Sequence, residues 1–401
     1  MTGFQIHHLR LAPPGSSPSA GYPFRVAQEL FDDAFSQALS LSGDVIIETS
    51  TIDLHAYYPK GPLVYCSQRD SKGRRTLNLP LFREFAIFVR ALGDTISWRW
   101  RTAGATRASI ATTNLPAAAI AVKLGLMGSQ VPRIVTLTDL GSFSYSPSKI
   151  ATMPRWRRVW AAGYAQLLTF LERSFDGYIL LSAPMVDVVN PHKAPSVVVE
   201  AIYNPESLDL SEAPRAGRRV IAHAGTLDRL YGIDLILEAF GRDPNPDAEL
   251  WLFGRGDMDA DIRLRAAEDP RITYFGFLPR EAVFEHLKSA DLLVNLRDPT
   301  LPYTRYSFPS KMLEYMVSGT PVATTRLPGI PERYWPHLYP IDLGTPETVY
   351  QQLSTILNSA PSERRARGTG ARNFVLSQTS ARTQGAKIHS LIGEVVERRG
   401  A

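Results

Sequence analysis

The sequence predicts an α/β protein made of two Rossmann-like domains, each with a parallel sheet and flanking helices. A chain of 401 residues is longer than one hydrophobic core usually needs, which favours two domains. Both halves alternate short apolar segments with longer amphipathic ones, and this alternation is typical of βαβ units. The first apolar segment leads through a Pro/Gly/Ser loop into a helical pattern, the order in which a Rossmann-like unit begins.

Composition and charge exclude several classes of protein. Apolar residues make up 44% and charged residues 21% of the chain, which is ordinary for a globular protein. The single cysteine, Cys66, excludes an internal disulfide and a cysteine-rich metal site. The chain offers no other metal cluster, and no metal and no cofactor are predicted. The N-terminus lacks a signal-peptide pattern and the chain lacks an uncharged apolar run of about 18 residues, so a soluble, cytoplasmic protein is expected.

The first half, residues 1–203, is expected to form one domain. Its strands are predicted at residues 4–9, 44–48, 108–112, 133–137, 178–181 and 196–200, and its helices include 22–41 and 116–126. Between Asp139 and Arg155 the chain is rich in Ser, Gly and Pro, which predicts a loop at the carboxyl end of a strand, where open α/β sheets bind ligands. Asp139 is therefore a candidate contact for a second substrate, and a simple capping role for this carboxylate is equally compatible with the sequence.

An amphipathic helix follows this loop and combines tryptophan with arginine near its start. The residues concerned are Trp156, Arg157, Arg158 and Trp160. This combination is typical of a helix that lies on anionic lipid, which predicts a peripheral membrane contact. The alternative is a core helix with a solvated basic first turn. No nucleic-acid-binding motif accompanies these residues, so we predict no nucleic-acid partner.

The second half repeats the βα alternation after a linker at residues 203–218. Strands are predicted at 220–224, 249–253, 271–275, 291–295 and 321–325, with helices at 233–240, 258–267 and 280–288. The pattern gives a second domain at residues 204–370. Residues 371–401 are expected to be a helical segment that returns toward the N-terminal domain, and a helix interruption is expected near residues 368–370.

Three glycine-bearing loops of the second half follow strands and are expected to meet at one edge of the sheet. Their glycines permit close backbone approach, an arginine in the first loop can reach a phosphate, and apolar residues in the third offer a wall to a planar base. A tight turn explains the second loop as well, and a buried hydrophobic turn explains the third. The candidate contacts are Gly225, Thr226, Arg229, Gly254, Phe277 and Leu278.

The stretch from residue 307 to residue 322 is predicted to be a short helix entered from a polar loop. Ser307 is expected to cap the helix, with Pro309 in its first turn. A helix N-terminus with an adjacent lysine suits a phosphate or diphosphate, and a carboxylate one turn later can accept ribose hydroxyls. The alternative is an ordinary Lys–Glu pair on a surface helix. The polar face consists of Ser307, Ser310, Lys311 and Glu314.

These pieces together resemble the nucleotide-binding half of GT-B glycosyltransferases, and more narrowly the family 4 group of retaining enzymes. The resemblance rests on the order of the three glycine loops, Ala290-Asp291, and Phe308-Pro309-Ser310-Lys311 followed by Glu314. In the first half, residues 111–116 and 137–140 are similar to members that build bacterial surface polysaccharides on lipid-linked acceptors.

The resemblance implies two domains facing a central cleft, with the donor nucleotide-sugar on the C-terminal domain and the acceptor on the N-terminal one. It implies that Glu314 holds the donor ribose and that Phe277 and Leu278 contact the base. Tyr306 stands where the family has the Glu that usually contacts the sugar. The Arg and Lys that commonly clamp the diphosphate are replaced by Thr226 and Tyr231, and Arg229, Arg305 and Lys311 are the cations that could supply the missing charge.

The resulting prediction is a hexosyltransferase-like glycosyltransferase that moves a sugar from a nucleotide-diphosphate donor to a saccharide acceptor with retention. The acceptor is expected to be lipid-linked and the protein to sit on the inner face of the cell membrane. Asp139, Arg229 and Lys311 are the predicted catalytic residues. A nucleotide-sugar epimerase or phosphorylase on the same fold, and a binding protein that has lost catalysis, are the alternatives.

Overall fold

The computed structural model of the chain describes residues 4–11, 23–41, 45–52, 64–66, 75–112, 115–141, 153–203, 209–211 and 219–400. The chain divides into two compact units. Unit 1 comprises Met1–Ile202 and Ala381–Ala401, and unit 2 comprises Tyr203–Ser380. Each unit holds a six-stranded parallel sheet with helices, so the predicted α/β fold class with two Rossmann-like domains is confirmed.

Unit 1 places its sheet strands close to the predicted positions and adds a long helix, a short helix and a pair of short antiparallel strands that were not predicted from the sequence. The elements in chain order are β1 (Phe4–Leu11), α1 (Pro23–Ser40), β2 (Val45–Ile52), β3 (Val64–Cys66), β4 (Arg75–Leu77), α2 (Pro80–Arg101), β5 (Arg107–Thr112), α3 (Pro116–Gly125), β6 (Arg133–Leu137), α4 (Arg155–Glu172), β7 (Gly177–Leu180), α5 (Met185–Val189) and β8 (Ser196–Val198).

Strand β1 lies inside the sheet of unit 1, whose order is β2-β1-β5-β6-β7-β8. Successive side chains of a strand point to opposite faces. His7 stacks on Trp98 of α2 with 5.2 Å between ring centroids, whereas His8 lies 5.1 Å from the ring of Phe35 of α1. Helices α1 and α2 therefore cover opposite faces of this sheet.

Helices α2, α3 and α4 share one face of the sheet of unit 1. Helix α3 packs beside α2, where Gly125 meets the side chain of Thr95. The ammonium group of Lys123 in α3 donates a hydrogen bond of 2.6 Å to the carbonyl oxygen of Ser174, just after the end of α4. We refer to these three helices as the α2–α4 layer.

Unit 2 has the sheet order β11-β10-β9-β12-β13-β14, with all neighbouring strands parallel. Parallel strands buried on both faces appear in the sequence as continuous apolar runs, and this is why these strands were predictable. The elements are β9 (Arg219–Thr226), α6 (Ile233–Phe240), β10 (Ala248–Arg255), α7 (Asp259–Glu268), β11 (Ile272–Gly276), α8 (Arg280–Ser289), β12 (Leu292–Asn295), α9 (Lys311–Ser318), β13 (Val322–Thr325), β14 (Tyr339–Ile341), α10 (Pro346–Asn358) and α11 (Pro361–Gln378).

Helix α11 is continuous through residues 368–370, so the interruption expected there is wrong. A Cβ on Gly368 would lie 2.1 Å from the carbonyl oxygen of Gly319, at the end of α9. The glycine thus allows two chain segments to pack closely and does not end the helix. The domain boundary expected between residues 370 and 371 lies inside α11, while the two units divide after Ser380.

The final helix, α12 (Ala381–Gly400), belongs to unit 1. Its buried residues Ile388, Ile392 and Val395 join the same hydrophobic core as Ile6 of β1 and Ile110 of β5. The first and last described elements of the chain therefore complete one core.

Candidate functional site

The carboxyl ends of the strands in unit 2 point to the same edge of the sheet, because all of these strands are parallel. Gly225 and Thr226 end β9, Phe277 and Leu278 follow β11, and the loop after β12 leads toward α9. We call this region, with the start of α9, the carboxyl edge. It contains every donor-binding residue predicted from the sequence, although the ligand contacts of these residues stay a prediction.

The first two glycine loops touch each other at this edge. Gly254 stands beside Gly225 in the register of β10 and β9 and has a φ of +128°. A Cβ at position 254 would lie 1.8 Å from the carbonyl oxygen of Gly225. Only glycine fits at position 254, because any side chain there would collide with the backbone of the Gly225 loop.

Helix α9 begins at Lys311, so the prediction that Ser307 caps it is wrong. The hydroxyl of Ser307 is buried and has no hydrogen-bond partner among the described residues. The residue before a proline is disfavoured in the α region, so Pro309 prevents the helix from extending back through Phe308. Ser310 takes the N-cap position, but its side chain accepts no capping hydrogen bond.

Glu314, in the first turn of α9, is held between two cations. Its Oε1 accepts a hydrogen bond of 2.7 Å from Nε of Arg280, and its Oε2 one of 3.0 Å from Nζ of Lys311. Burial alone would raise the pKa of Glu314, but Lys311 and Arg280 together lower it below its ordinary value. The group is thus an ionised carboxylate whose remaining lone pairs can accept hydroxyl hydrogens. The sequence did not reveal Arg280 as a partner, because it comes from the start of another helix, α8.

Below the Gly225 loop lies a buried neutral histidine. The Nδ1–H of His223 donates to the carbonyl oxygen of Val294 at 2.9 Å, and burial lowers the pKa of the imidazole to about 4. Nearby, the hydroxyl of Tyr315 in α9 accepts from the N–H of Ala224 at 2.6 Å and donates to its carbonyl oxygen at 2.9 Å. These bonds attach α9 to the end of β9.

The predicted catalytic cation Arg229 is engaged with carboxylates. Its guanidinium, 61% exposed, contacts Asp234 at 3.3 Å and Asp261 at 3.2 Å. An anion at this position would compete with both carboxylates. Arg305, by contrast, lies 5.9 Å from the ring of Tyr306 and its side chain is exposed.

Arg297, which the sequence reasoning missed, also lies at the carboxyl edge. It follows β12 by two residues, and its guanidinium carbon is 4.4 Å from the ring centroid of Tyr231. Within the part of the chain that the structure describes, no carboxylate pairs with it. An arginine two residues after a strand is the signal in the sequence that could have identified it.

The third loop presents an exposed aromatic ring. Phe277 is 70% exposed and follows β11, the edge strand of the sheet. Just before it, Phe275 stacks on Phe253 of β10 with 4.5 Å between ring centroids. The exposed ring is therefore carried on a firmly packed support.

In unit 1, Asp139 follows β6 by two residues, at the carboxyl end of the strand as predicted, and most of the predicted loop, residues 142–152, lies outside the described residues. The side chain of Asp139 reaches solvent, but the protein surrounds it closely, and this desolvation raises its pKa to about 6 despite a hydrogen bond from Thr138. Next to it, the N–H of Gly141 donates a hydrogen bond of 2.7 Å to Oε1 of Glu172, a buried carboxyl in α4. The described residues directly after β6 are thus attached to α4 through Gly141.

Helix α4 buries only its last turn. Leu168, Leu171 and Glu172 are buried, whereas Trp156 is 61% and Trp160 is 75% exposed. Arg157 and Arg158 are exposed as well. The alternative in which this helix packs its aromatic residues into a core therefore does not fit the structure. None of the described helices combines the length and the apolar character needed to span a membrane.

No group of three or more His, Cys, Asp or Glu side chains arranged for a metal ion occurs among the described residues. The prediction that the site works without a metal stays a prediction.

Comparison with known proteins identifies the class of enzyme. The family described as glycosyl transferases group 1 matches residues 218–359. A search among curated proteins finds no match to the chain. Among solved structures, the chain is similar to sucrose-phosphate synthase from Thermosynechococcus elongatus, with a TM-score of 0.64, 16% identity and coverage of 98% of this chain and 100% of that one.

Two further solved structures are similar over nearly their whole length. HepE from Anabaena, solved in complex with UDP and glucose, has a TM-score of 0.61 and 11% identity, with 97% of this chain and 99% of that one covered. The lipopolysaccharide outer core galactosyltransferase WaaB, in its apo form, has a TM-score of 0.60 and 12% identity, with 96% and 99% covered. The GT-B fold and the prediction of a glycosyltransferase are confirmed. Membership of the retaining family 4 group stays a prediction.

Proposed function

We propose that this glycosyltransferase takes a sugar from a nucleoside diphosphate donor bound at the carboxyl edge and transfers it to a lipid-linked saccharide at an anionic membrane. The observation that carries the donor half is the ionised carboxylate of Glu314 between Lys311 and Arg280, at the start of a helix. A helix start with a lysine attracts phosphate, and a carboxylate accepts ribose hydroxyls.

The spacing of the carboxyl edge supports an extended nucleotide. Phe277 follows β11, and the positive groups follow β9 and β12, which are two and three strands further along the sheet. With about 4.8 Å between strands, this places roughly 10–14 Å between an aromatic contact for the base and the cations for the phosphates. HepE, the structural neighbour from Anabaena, was solved with UDP and with UDP-glucose, which also favours a nucleotide-sugar donor.

The donor assignment is tested by measuring affinities for a panel of nucleoside diphosphates and their sugars. We expect Glu314→Ala to weaken binding of the preferred nucleotide by about 10- to 100-fold, since a hydrogen bond to a charged group contributes about 1.5–3 kcal/mol. The matched control is Glu363→Ala, which removes an exposed carboxylate from the first turn of α11. Equal affinity of the two variants would overturn the ribose assignment.

Turnover of the preferred donor then separates transfer from the alternatives. Conversion of the donor without any acceptor would identify an epimerase, and cleavage by inorganic phosphate a phosphorylase. We expect the proton NMR spectrum of the product to show the anomeric configuration of the donor, that is, retention. If the product is inverted, Asp139, with its pKa of about 6, becomes the group to examine as the base.

The membrane half of the proposal is supported by the α2–α4 layer of unit 1. Val159 of α4, between the exposed Trp156 and Trp160, is 72% exposed, and Phe170 near the end of the helix is 75% exposed. Helix α2 of the same layer exposes a second apolar stripe, formed by Leu81, Phe82, Phe85 and Val89. A soluble domain rarely leaves so many large apolar side chains in water, and basic residues beside them favour an anionic lipid surface.

Vesicle binding tests this assignment. We expect the wild type to bind vesicles of phosphatidylcholine with phosphatidylglycerol and to release with salt. Arg157→Gln with Arg158→Gln should weaken binding about 30-fold, from about 1 kcal/mol per basic residue near the surface. Trp156→Ser with Trp160→Ser should weaken it independently of salt. The control is Leu264→Ser with Arg265→Ser, an equally exposed pair on α7 of unit 2. Unchanged vesicle binding and unchanged transfer to a lipid-linked acceptor would refute the assignment.

A further inference from the structure

The positive charge that a departing diphosphate requires is missing at the two positions where the family resemblance expects it. Thr226 and Tyr231 stand there, and neither carries a charge. Of the cations predicted from the sequence to supply this charge, Lys311 is paired with Glu314, and Arg229 is paired with Asp234 and Asp261. The third, Arg305, has an exposed side chain that no carboxylate among the described residues holds in place. A cation whose position is fixed by its neighbours is better suited to stabilise the leaving group.

Arg297 occupies the space over the residue that replaces the expected lysine. Its guanidinium lies on the ring of Tyr231 at 4.4 Å from the centroid, within the range of a cation–π contact. Its Nε is buried and has no hydrogen-bond partner among the described residues. Nε itself is closed to solvent, but the residue is partly exposed, so the Nη groups are the donors that a ligand can reach.

The backbone around Arg297 is fixed from two sides. The hydroxyl of Thr325 in β13 donates a hydrogen bond of 2.5 Å to the carbonyl oxygen of Arg297. On the other side, Gly232, with a φ of +76°, lies against Leu296, and a Cβ there would be 2.1 Å from the carbonyl oxygen of Leu296. The turn that carries Tyr231 is therefore pressed against the residue that precedes Arg297, which holds the ring and the guanidinium together.

Arg297 and Lys311 act on the same place. Burial is the main reason that the pKa of His223 is low, and the charges of Arg297 and Lys311 lower it further. The Nε2 of this histidine would lie 3.7 Å from a Cβ on Gly225. Geometry agrees, because Cγ of Lys311 would lie 3.9 Å from a Cβ on Gly225 and Arg297 follows β12, the strand beside β9. The family resemblance also expects the diphosphate at this loop. The nearby carboxylate of Asp298 is turned to Thr300, whose N–H and hydroxyl donate to it at 2.8 and 2.7 Å.

A phenol adds a neutral donor beside Arg297. The hydroxyl of Tyr303 is buried without a hydrogen-bond partner among the described residues. Burial raises its pKa to about 12, although the charge of Arg297 acts in the opposite direction. The hydroxyl is thus protonated at neutral pH and can donate to a phosphate oxygen.

We propose that Arg297, supported by Tyr231, binds the donor diphosphate and stabilises it as it leaves, in place of the absent Arg and Lys. This role rests on the proposed nucleotide-sugar donor. In the transfer, the bond between the anomeric carbon and the diphosphate oxygen breaks, and both electrons go to that oxygen. The acceptor hydroxyl oxygen bonds to the anomeric carbon and releases its proton to the diphosphate or to solvent. Arg297 offsets the negative charge that develops on the leaving group.

The test compares three ligands on the folded full-length protein: the preferred nucleoside diphosphate, its monophosphate and the free nucleoside. We expect Arg297→Gln to lower the affinity for the diphosphate about 10- to 100-fold and to leave the affinity for the nucleoside unchanged. Arg297→Lys should lose less affinity than Arg297→Gln, because lysine keeps the positive charge but lacks the planar guanidinium that stacks on Tyr231. For kcat of sugar transfer we expect Arg297→Gln to lose about 10²- to 10³-fold, as for other groups that stabilise developing charge.

Arg367→Gln is the matched control, since this arginine also stacks on a tyrosine, Tyr339, at 4.1 Å, but beside the first residue of β14 at the opposite edge of the sheet. If Arg297→Gln does not fold, Tyr231→Leu is the second variant, since it removes the ring under the guanidinium and keeps the charge. We expect it to lower the affinity for the diphosphate by a smaller factor and to leave the affinity for the nucleoside unchanged. Equal diphosphate affinity of Arg297→Gln and the wild type would overturn the inference while the donor proposal stands. A wild type that binds no nucleoside diphosphate would overturn both.

Discussion

The double hydrogen bond between Tyr315 and Ala224 permits a prediction with a defined magnitude. The Tyr315 hydroxyl both accepts from the N–H and donates to the carbonyl oxygen of Ala224, and the residue is buried. Tyr315→Phe leaves two backbone groups of a central strand without partners in a site closed to water. An unsatisfied buried group costs about 1–3 kcal/mol, so with two such groups the free energy of unfolding should fall by about 2–6 kcal/mol.

Two measurements check this expectation. Urea unfolding gives the change in stability, and hydrogen exchange at the Ala224 amide reports the bond directly, because its protection should fall. Tyr339→Phe is the control, since the hydroxyl of Tyr339 is buried without a partner among the described residues and its removal should cost nothing or stabilise. Equal effects of the two substitutions would refute the argument that Tyr315 secures α9 to β9.

Three further predictions follow from the geometry of single residues. Gly254→Ala would place a Cβ 1.8 Å from the Gly225 carbonyl oxygen, so we expect donor affinity to fall at least tenfold in titrations, whereas Gly393→Ala, with open space around it, should have no effect. Phe277→Ala should weaken nucleotide binding about tenfold and change the melting temperature little, because the ring is 70% exposed; an unchanged affinity would exclude a contact with the base. Burial raises the pKa of Glu172 from 4.5 to about 7, so its contribution to stability is lost as pH rises through that window. Glu172→Gln should therefore be more stable than the wild type at pH 8, by about 2–3 kcal/mol at most, and lose this advantage below about pH 4.5; a difference independent of pH would contradict the assignment.

The sheets were predictable because buried parallel strands are continuous apolar runs between turn residues. Helix α2 was not, because it exposes Phe82 and Phe85 while it buries Trp98, and apolar residues on all sides hide the helical period. The start of α9 was predicted too early in the chain. Proline is common in the first turn of a helix and also just before a helix, so Pro309 alone does not fix the first helical residue.

In the candidate site, contacts between neighbours in the sequence could be predicted, whereas contacts between distant elements could not. Glu314 and Lys311 are neighbours in sequence, so their pairing could be anticipated from spacing. Arg229 was chosen for its position among glycines, but its carboxylate partner Asp261 comes from another helix. The stacking of Arg297 on Tyr231 joins the loop after β12 to the turn after β9, and only the order of strands in the sheet brings these together.

The return of α12 to unit 1 determines the order in which the chain can fold as it is synthesised. The core around Ile6 and Ile110 contains Ile388 and Val395, so it cannot close before those last residues have emerged from the ribosome. Unit 2 is one continuous segment, Tyr203–Ser380, and has all of its strands earlier. Domains generally fold as units from the N-terminus onward. Here the second unit can reach its native state first, while the apolar strands of the first unit stay incompletely covered until α12 is available.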